Sequence, residues 1–347
     1  MTFDFETIID RRGKDAVAVD APAVQMSGGF FPETKVQEEF SIIPMWVADM
    51  NFQTAPAVAQ AIRSRADHHL YGYFLPPSQY FQSIINWQKE RNGVTDLKPE
   101  HIGYENGVLG GVVSALRILC SNGDPVLVQT PTYVGFTHSL EDNGWKSVLN
   151  PLKRDAEGIW RMDYEDMERK IIENHVHAAI FCSPHNPSGR VWQAWEIEKA
   201  MEIFARHDVY VIADEIWSDL TLPGYHHIPT QSVSEDARNR TIALYSPSKA
   251  FNLAGLVGSY HIVYNAYLRD RIRREATMTH YNHMNVLSMH ALMGAYSEQG
   301  AKWLDALREV IADNQKTAVD FIRKNLPGVR VDMPEGTIGH SILEKIV

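Results

Sequence analysis

The sequence predicts an α/β protein whose sheet is mostly parallel and carries helices on both faces. Helix-like and strand-like segments alternate over residues 54–268, a pattern typical of parallel strands covered by helices. The chain has 347 residues, of which 44% are hydrophobic, so it is long enough for two domains and a large core. No repeat and no Gly/Ser linker interrupts it, which argues against solenoid or tethered architectures.

Each element follows from a local pattern. Thr54 followed by Pro56 predicts a helix start, and residues 107–119 predict a helix with a glycine-rich beginning. Residues 193–206 predict another helix, and residues 270–324 are helix-rich, with one long helix at about residues 301–325. Short apolar runs predict buried strands over residues 125–129, 176–182, 209–213, 241–245 and 259–264.

Charge and composition limit the classes of partner. With 33 basic and 43 acidic residues the formal net charge is −10, which argues against nucleic acid or an anionic membrane as the main partner. The acidic start lacks the apolar core of a signal peptide, and no stretch reaches the roughly 20 apolar residues of a membrane span. Only Cys120 and Cys182 are present, so no disulfide framework is expected. We therefore expect a cytoplasmic protein.

The histidines do not predict a metal site. The adjacent pairs at residues 68–69 and 226–227 are poorly placed to bind one ion from one face. His175 and His177 would share a face of a predicted strand, but the sequence offers no third ligand beside them. We therefore expect no metal.

The strongest chemical signal is Ser246-Pro247-Ser248-Lys249, directly after the apolar run of residues 241–245. A lysine there can form an imine with an aldehyde, and the hydroxyls of Ser246 and Ser248 can donate hydrogen bonds to a phosphate. An aldehyde, a phosphate and a lysine together indicate pyridoxal 5'-phosphate. By itself the pattern is equally typical of a solvated loop, so the interpretation depends on two upstream positions.

Those positions are Asp214 and Asn186, each of which follows a predicted strand. Asp214 lies where open α/β sheets bind ligands, and its carboxylate is suited to pair with a protonated pyridine nitrogen. The Asn186 amide is suited to donate a hydrogen bond to the phenolic oxygen of the same ring. A helix N-cap at Asp214 and a plain turn at Asn186 are the alternatives. One cofactor site explains all three positions, whereas the alternatives require three separate coincidences.

In this order and approximate spacing, Asn-Pro-x-Gly, Asp-Glu and Ser-x-Ser-Lys resemble the motifs of pyridoxal-phosphate enzymes with the aspartate-aminotransferase fold. The resemblance covers residues 43–337. Val257 stands where many relatives carry a phosphate-binding arginine, and its presence fits the MalY/PatB group of carbon–sulfur β-lyases. The chain is similar to that group in Met45-Trp46-Val47-Ala48-Asp49-Met50-Asn51-Phe52, Tyr71-Gly72-Tyr73 and Ser248-Lys249-Ala250-Phe251-Asn252-Leu253-Ala254-Gly255-Leu256.

The resemblance implies further cofactor contacts. It implies that backbone amides of Val108 and Leu109 bind the phosphate, at the amino end of a helix. Tyr133 matches the aromatic residue that stacks on the cofactor ring. Trp217 matches a position near the phenolic oxygen, where relatives often have tyrosine or histidine. An ordinary tight turn and a half-buried tyrosine are the alternatives for the first two features.

The resemblance also implies contacts to a second subunit and to substrate. Tyr73 matches a tyrosine that reaches the phosphate in the neighbouring subunit, so a homodimer is expected. Tyr71 lies two residues away and is easily confused with it. Ala48 lies in the loop whose backbone approaches the substrate.

The family's fold implies a division into three segments. Residues 1–50 would form the N-terminal part of a small domain, residues 51–284 the large cofactor-binding domain, and residues 285–347 the C-terminal part of the small domain. Relatives continue beyond Pro334-Glu335-Gly336-Thr337 with an arginine that pairs with the substrate α-carboxylate. This chain diverges after Thr337, so we expect a C-terminally truncated small domain and a weaker grip on the substrate.

The leading hypothesis is a pyridoxal-phosphate-dependent carbon–sulfur β-lyase that acts on cystathionine, cysteine or related S-conjugates and releases a thiol, pyruvate and ammonia. Lys249 would take the Cα proton as general base, and Asp214 would keep the ring electron-poor. The same residues would support transamination, so a class I/II aminotransferase is the second hypothesis. A cofactor-binding regulatory protein without useful catalysis is the third.

Overall fold

The apolar runs form strands, because buried backbone amides and carbonyls must pair within a sheet. The computed structural model describes residues 3–24, 43, 45–338 and 344–345, with residues 21–24 and 344–345 described by their backbone. Its strands are β1 (Ile102–Asn106), β2 (Pro125–Thr130), β3 (Lys146–Pro151), β4 (Lys153–Arg154), β5 (Trp160–Arg161), β6 (Ala178–Cys182), β7 (Tyr210–Asp214), β8 (Thr241–Tyr245), β9 (Gly258–Ile262), β10 (Val329–Arg330) and β11 (Glu344–Lys345).

The helices predicted to start at Pro56 and to span residues 107–119 and 193–206 are confirmed, as is the helix-rich region from residue 270, whereas the helices at residues 17–24, 78–92, 134–142, 164–174 and 235–240 were not predicted. The helices are α1 (Val17–Val24), α2 (Pro56–Ala66), α3 (Ser78–Asn92), α4 (Val108–Leu119), α5 (Val134–Asp142), α6 (Tyr164–Asn174), α7 (Ala194–Arg206), α8 (Glu235–Arg240), α9 (Ala266–Thr279), α10 (Val286–Ala295) and α11 (Glu298–Asn325). The long α11 begins earlier than predicted, because the Ser297 hydroxyl accepts a hydrogen bond from the Gly300 amide at 3.1 Å and caps the helix there.

Seven strands form one sheet in the order β1-β9-β8-β7-β6-β2-β3. The pairs β2–β3, β2–β6, β6–β7 and β7–β8 are parallel, and β9 is antiparallel to both of its neighbours. Two antiparallel pairings in succession make β1 run in the same direction as β8. The carboxyl ends of β1, β2, β6, β7 and β8 therefore lie at one edge of the sheet, which we call the carboxyl edge. The predicted α/β fold with a mostly parallel sheet is confirmed.

Successive residues of a strand pack alternately into two apolar cores, one on each face of the sheet. In β6, Ile180 packs with α4, α5 and α9, while Phe181 packs on the opposite face with α6 and α7. In β2, Val126 and Val128 belong to the first core and Leu127 belongs to the second. Strands buried on both faces read as continuous apolar runs, which explains why the sequence showed no alternation.

The predicted strand face shared by His175 and His177 is wrong. His175 ends α6 in the left-handed conformation, with φ 53°, and β6 begins only at Ala178. The His177 carbonyl accepts a hydrogen bond from the Tyr210 amide at 2.9 Å, but ladder pairing starts one residue later. The helix therefore extends further toward the strand than the apolar pattern indicated.

Contacts divide the chain into two compact units, residues 1–53 and residues 54–347. In the first unit the Arg11 guanidinium makes two hydrogen bonds to the Asp49 carboxylate, at 3.0 and 2.6 Å. The sheet and helices α2 to α11 belong to the second unit. The three-segment division at residues 50 and 284 stays a prediction, and most of the divergent end lies outside the described residues. Within the described part of the chain, no helix is long and apolar enough to cross a membrane.

Candidate active site

Loops at the carboxyl edge bring most of the predicted site residues together. Lys249 follows β8, Asp214 ends β7, and Asn186 follows β6, three strands that are neighbours in the sheet. Tyr133 follows β2 and begins α5, while Gly107 connects β1 to α4. Open α/β sheets bind ligands at this edge, so the topology alone marks it as the candidate site.

The loop that carries Lys249 is held by its own hydrogen bonds. The Ser246 hydroxyl donates to the Gly258 carbonyl at 2.7 Å and accepts from the Ser248 amide at 3.1 Å. The Leu253 amide donates to the Ser248 carbonyl at 2.8 Å. Because a serine hydroxyl has one proton, Ser246 here stabilises the loop. The predicted phosphate contacts of Ser246 and Ser248 stay predictions.

Lys249 extends from this loop toward the turn after β7. Its Nζ lies 5.7 Å from the ring centroid of Trp217, within the range of a cation–π contact. Trp217 is only 3% exposed, and its carbonyl accepts from the Leu220 amide at 2.9 Å. The structure therefore brings Trp217 and Lys249 together, while the predicted contact of the indole with the phenolic oxygen stays a prediction.

Asp214 is a buried carboxylate at the end of a central strand. It is 5% exposed, and its Oδ1 accepts one hydrogen bond from the Ile216 amide at 3.0 Å. Burial raises the pKa of Asp214 to about 7, although the Ile216 amide and the charge of Lys249 both lower it. A carboxylate in this state is stabilised in its charged form by a cationic N–H partner.

The neighbouring Glu215 has a structural role that the sequence did not indicate. Its carboxylate is fully buried and accepts from His227 Nε2 at 2.6 Å, from the Thr230 amide at 2.8 Å and from the Tyr245 hydroxyl. These bonds tie the segment after β7 to β8. The two adjacent carboxylates thus differ in their surroundings. The Glu215 carboxylate has several hydrogen-bond partners, whereas the cost of burying the Asp214 carboxylate is only partly compensated.

The amino end of α4 is arranged to bind an anion. Gly107 takes φ 75°, and no side chain in the described part of the chain caps α4. The Gly111 amide bonds to the Gly107 carbonyl at 3.0 Å, so the amides of Val108 and Leu109 precede the first helical hydrogen bond. Uncapped amides and the helix dipole favour a phosphate at this position.

Val257 lies beside this turn in an unusual conformation. It has φ 60°, which a β-branched residue adopts rarely and at a cost of about 1–3 kcal/mol. Its Cγ1 is 3.8 Å from the point that a Cβ on Gly107 would occupy. Backbone strain of this kind concentrates at functional sites, and apolar periodicity gives no sign of it.

Tyr133 presents its ring at the same edge. The side chain is 39% exposed and makes an edge contact with Phe136, at 5.5 Å between centroids and 85° between planes. Burial, and after it the charge of the Asp214 carboxylate, raise the pKa of its hydroxyl. A Cβ on Gly135 would lie 2.4 Å from Tyr133 Cε1 and 2.9 Å from Leu109 Cδ1. Gly135, which sequence reasoning missed, therefore makes the space that this ring occupies.

The turn that carries Asn186 is closed by buried polar contacts. His185 Nδ1 lies 2.8 Å from Ser188 Oγ, and the His185 and Arg190 backbones pair. Burial lowers the pKa of His185 to about 3, so its ring is neutral at physiological pH. Asn186 is partly exposed in this turn, and its backbone amide donates to Cys182 Sγ at 3.5 Å.

Two predicted residues are not placed in this cluster. Tyr73 is fully exposed in the segment between α2 and α3, where a surface aromatic residue is the simple alternative. Ala48 belongs to the first unit, residues 1–53. Their predicted contacts, to a partner's cofactor and to substrate, stay predictions.

Asp214→Asn is expected to change how stability depends on pH when no cofactor is bound. The pKa of about 7 in the folded protein exceeds the ordinary value near 3.8 in the unfolded chain, so folding favours the protonated form. The free energy of unfolding should therefore fall as pH rises from about 4 to about 7, and then level off.

The variant lacks this titration. As pH rises from about 4 to about 7, its free energy of unfolding should therefore increase relative to that of the unmodified chain, by at most about 4 kcal/mol. Urea unfolding of both cofactor-free proteins near pH 4.5, 6 and 8 measures the difference. A stability difference that is the same at all three pH values would contradict the assignment.

Comparisons with known proteins agree with this site. A family model of class I and II aminotransferases matches residues 42–339. The chain is 35% identical over 295 residues to cystathionine β-lyase PatB of Bacillus subtilis, which covers 85% of this chain and 76% of PatB. It is 29% identical over 337 residues to protein MalY of Escherichia coli, covering 96% of this chain and 82% of MalY. The pyridoxal-phosphate-bound carbon–sulfur lyase of Staphylococcus hominis superposes with a TM-score of 0.86 at 32% identity, over 97% of this chain and 81% of that one. The chain therefore belongs to the class I and II aminotransferase family, in which it is similar to PatB and MalY, as the sequence predicted.

Proposed function

We propose that this protein is a pyridoxal 5'-phosphate-dependent carbon–sulfur β-lyase. Its reaction would convert cystathionine or another S-conjugate of cysteine, with water, into a thiol, pyruvate and ammonia. The observation that carries the proposal is the joint placement of Lys249 and buried Asp214 at the ends of adjacent parallel strands. The names of PatB and of the Staphylococcus hominis lyase point to the same reaction.

The residues at the carboxyl edge fit this cofactor. Asp214 is buried with a raised pKa, so a protonated ring nitrogen would stabilise its charged form. The uncapped amides of Val108 and Leu109 suit a phosphate. Tyr133 offers a partly exposed ring for stacking, and Lys249 offers an amine. The carboxyl edge thus offers a partner for each part of the cofactor. Asp214 suits the ring nitrogen, the two amides suit the phosphate, Tyr133 suits the ring face and Lys249 suits the aldehyde.

Each residue would then have a defined part in the reaction. When bound, the cofactor supplies an electron sink for bonds at the Cα of an amino acid. Lys249 is suited to take the Cα proton as general base, and Asp214 to hold a proton at the ring nitrogen. The Tyr133 ring would exclude water from one side of the site. The β-sulfur leaves with the electron pair of its bond to carbon.

The two other hypotheses make different predictions for one assay. An aminotransferase would exchange its amino group with a keto acid and release no thiol, whereas a regulatory protein would bind the cofactor without turnover. Steady release of pyruvate and thiol from cystathionine selects the lyase. The cytoplasmic location and the absence of a nucleic-acid partner stay predictions, which this assay does not address.

Lys249→Ala should abolish covalent attachment of the cofactor. It should also lower the rate of β-elimination by at least about 1000-fold. Borohydride reduction of the loaded protein, followed by peptide mass analysis, should place the cofactor on Lys249 in the unmodified chain. Lys199 is a matched control, because its Nζ also lies over an aromatic ring, that of Tyr164, at 4.4 Å. Lys199→Ala should keep attachment and turnover. Attachment to another lysine in the unmodified chain would refute the assignment.

Gly135→Ala should weaken cofactor binding without destabilising the fold. The added methyl group would lie 2.4 Å from Tyr133 Cε1, so the ring must rotate away, while alanine is the better helix residue. Loss of the stacked ring is worth about 1 kcal/mol, or about fivefold in Kd. Fluorescence titration measures Kd. Tyr133→Leu should raise Kd by the same factor, and the double variant Gly135→Ala/Tyr133→Leu should raise it no further. Additive losses of binding free energy would contradict the idea that Gly135 acts through the Tyr133 ring.

We also propose a homodimer in which Tyr73 contributes to the partner's site. Leu75 and Leu70 beside it are 89% and 70% exposed, and apolar clusters of this kind mark interaction surfaces. Tyr73→Ala and Lys249→Ala should each be nearly inactive alone. Their refolded mixture should recover about a quarter of the activity, because each mixed dimer regains one complete site. A mixture that stays inactive, or a monomeric mass of the loaded protein, would contradict the proposal.

A further inference from the structure

Residues 334–337 pack between two turns of the carboxyl edge, and we call this segment the latch. The amides of Glu335 and Gly336 both donate to the Gly189 carbonyl, at 2.9 and 3.0 Å. On the other side, the Leu222 amide donates to the Glu335 carbonyl at 2.8 Å and the Thr337 amide to the Leu220 carbonyl at 2.9 Å. The latch therefore joins the turn after Asn186 to the segment after Trp217.

A buried arginine holds the latch through its charge. Arg190 is 6% exposed and contacts two carboxylates, Glu196 at 2.5 Å and Glu335 through its other terminal nitrogen. The second oxygen of Glu335 accepts from the Val191 amide at 2.9 Å. Glu196 is fully buried and also pairs with Arg161 at 2.9 Å. Loss of the Glu335 carboxylate would still leave Arg190 paired with Glu196. The substitution should therefore shift the position of the latch more than it lowers the stability of the fold.

The contact is close enough to transmit small movements. Gly189 takes φ 72°, and a Cβ there would lie 2.6 Å from Pro334 Cβ, so the latch lies directly against its backbone. Gly189 is three residues from Asn186, and its amide donates to the His185 carbonyl at 2.8 Å. The turn between His185 and Arg190 is thus one closed unit. A shift of the latch should move Asn186 with it.

We propose that Glu335 is a positioning residue for Asn186, acting through Arg190 and the backbone of the turn. The proposal rests on the proposed function and on the hydrogen bond that the sequence predicts from the Asn186 amide to the phenolic oxygen of the cofactor. Coupling between two sites is reciprocal. Cofactor binding should therefore protect the latch, and loss of the latch contact should weaken cofactor binding.

The first experiment needs no variant. Hydrogen exchange of the amides of Glu335, Gly336 and Thr337 is measured in the full chain without and with pyridoxal 5'-phosphate. These amides should exchange about tenfold more slowly when the cofactor is bound. Equal exchange rates in a wild-type chain that binds the cofactor would overturn the proposal while leaving the proposed function intact.

The second experiment compares Glu335→Ala and Glu335→Gln with Arg161→Ala. Arg161 is another partner of Glu196, and among the described residues its ion pairs are with Asp155 and Glu196 rather than with the turn at residues 185–190, so this control tests loss of an ion pair alone. Glu335→Ala should raise the cofactor Kd about tenfold, and Glu335→Gln, which keeps an acceptor for Val191, about threefold. Arg161→Ala should leave Kd unchanged.

A spectroscopic readout separates positioning from simple destabilisation. The pH midpoint of the visible band of the loaded protein should move upward in Glu335→Ala, because a weaker donor at the phenolic oxygen stabilises its anion less. An unchanged midpoint and Kd in both Glu335 variants, with normal wild-type binding, would overturn this proposal alone. Failure of the wild-type chain to bind the cofactor would overturn the proposed function and this proposal with it.

Discussion

Parallel pairing of β6, β7 and β8 is the constraint on which the site depends. Cys182 lies opposite Asp214 across β6 and β7, and Asp214 lies opposite Leu244 across β7 and β8. This register fixes where each following loop begins, and so where Asn186 and Lys249 stand relative to Asp214. Because these strands are buried on both faces, a shift by one residue would exchange their side chains between the two cores. Packing of the core therefore also sets the geometry of the site.

The same burial produces the site's chemistry. A carboxylate at the end of a central strand loses its water, and the pKa of Asp214 rises to about 7. The carboxylate of the next residue, Glu215, accepts from His227, the Thr230 amide and Tyr245, and serves as a structural link to β8. Two adjacent carboxylates thus differ in role because the backbone directs them to different surroundings. A bound cation at Asp214 would relieve a penalty that the fold itself creates.

Absent side chains are as important at the carboxyl edge as those present. Gly135 leaves the space that the Tyr133 ring occupies, and Gly189 lets the latch lie against the turn that carries Asn186. Gly107 opens the amino end of α4 through its positive φ. At Gly135 and Gly189 a methyl group would displace a neighbouring group, whereas at Gly107 the positive φ itself disfavours a side chain. The site is therefore formed by close approach of backbone as well as by its chemical groups.

The sequence by itself determined the five inner strands of the sheet, the helices α2, α4, α7 and α11, the family and the order of Asn186, Asp214 and Lys249, because local apolar runs and short motifs are encoded by neighbouring residues. It did not predict the edge strands β1 and β3. It did not reveal the partners of Glu215, the strained Val257 or the contact of Glu335 with Arg190, and it misplaced His175 and His177 on a strand. These features depend on residues far apart in the chain, such as Arg190 and Glu335. Only tertiary packing decided them, since it alone brings such residues together and fixes which groups lose contact with water.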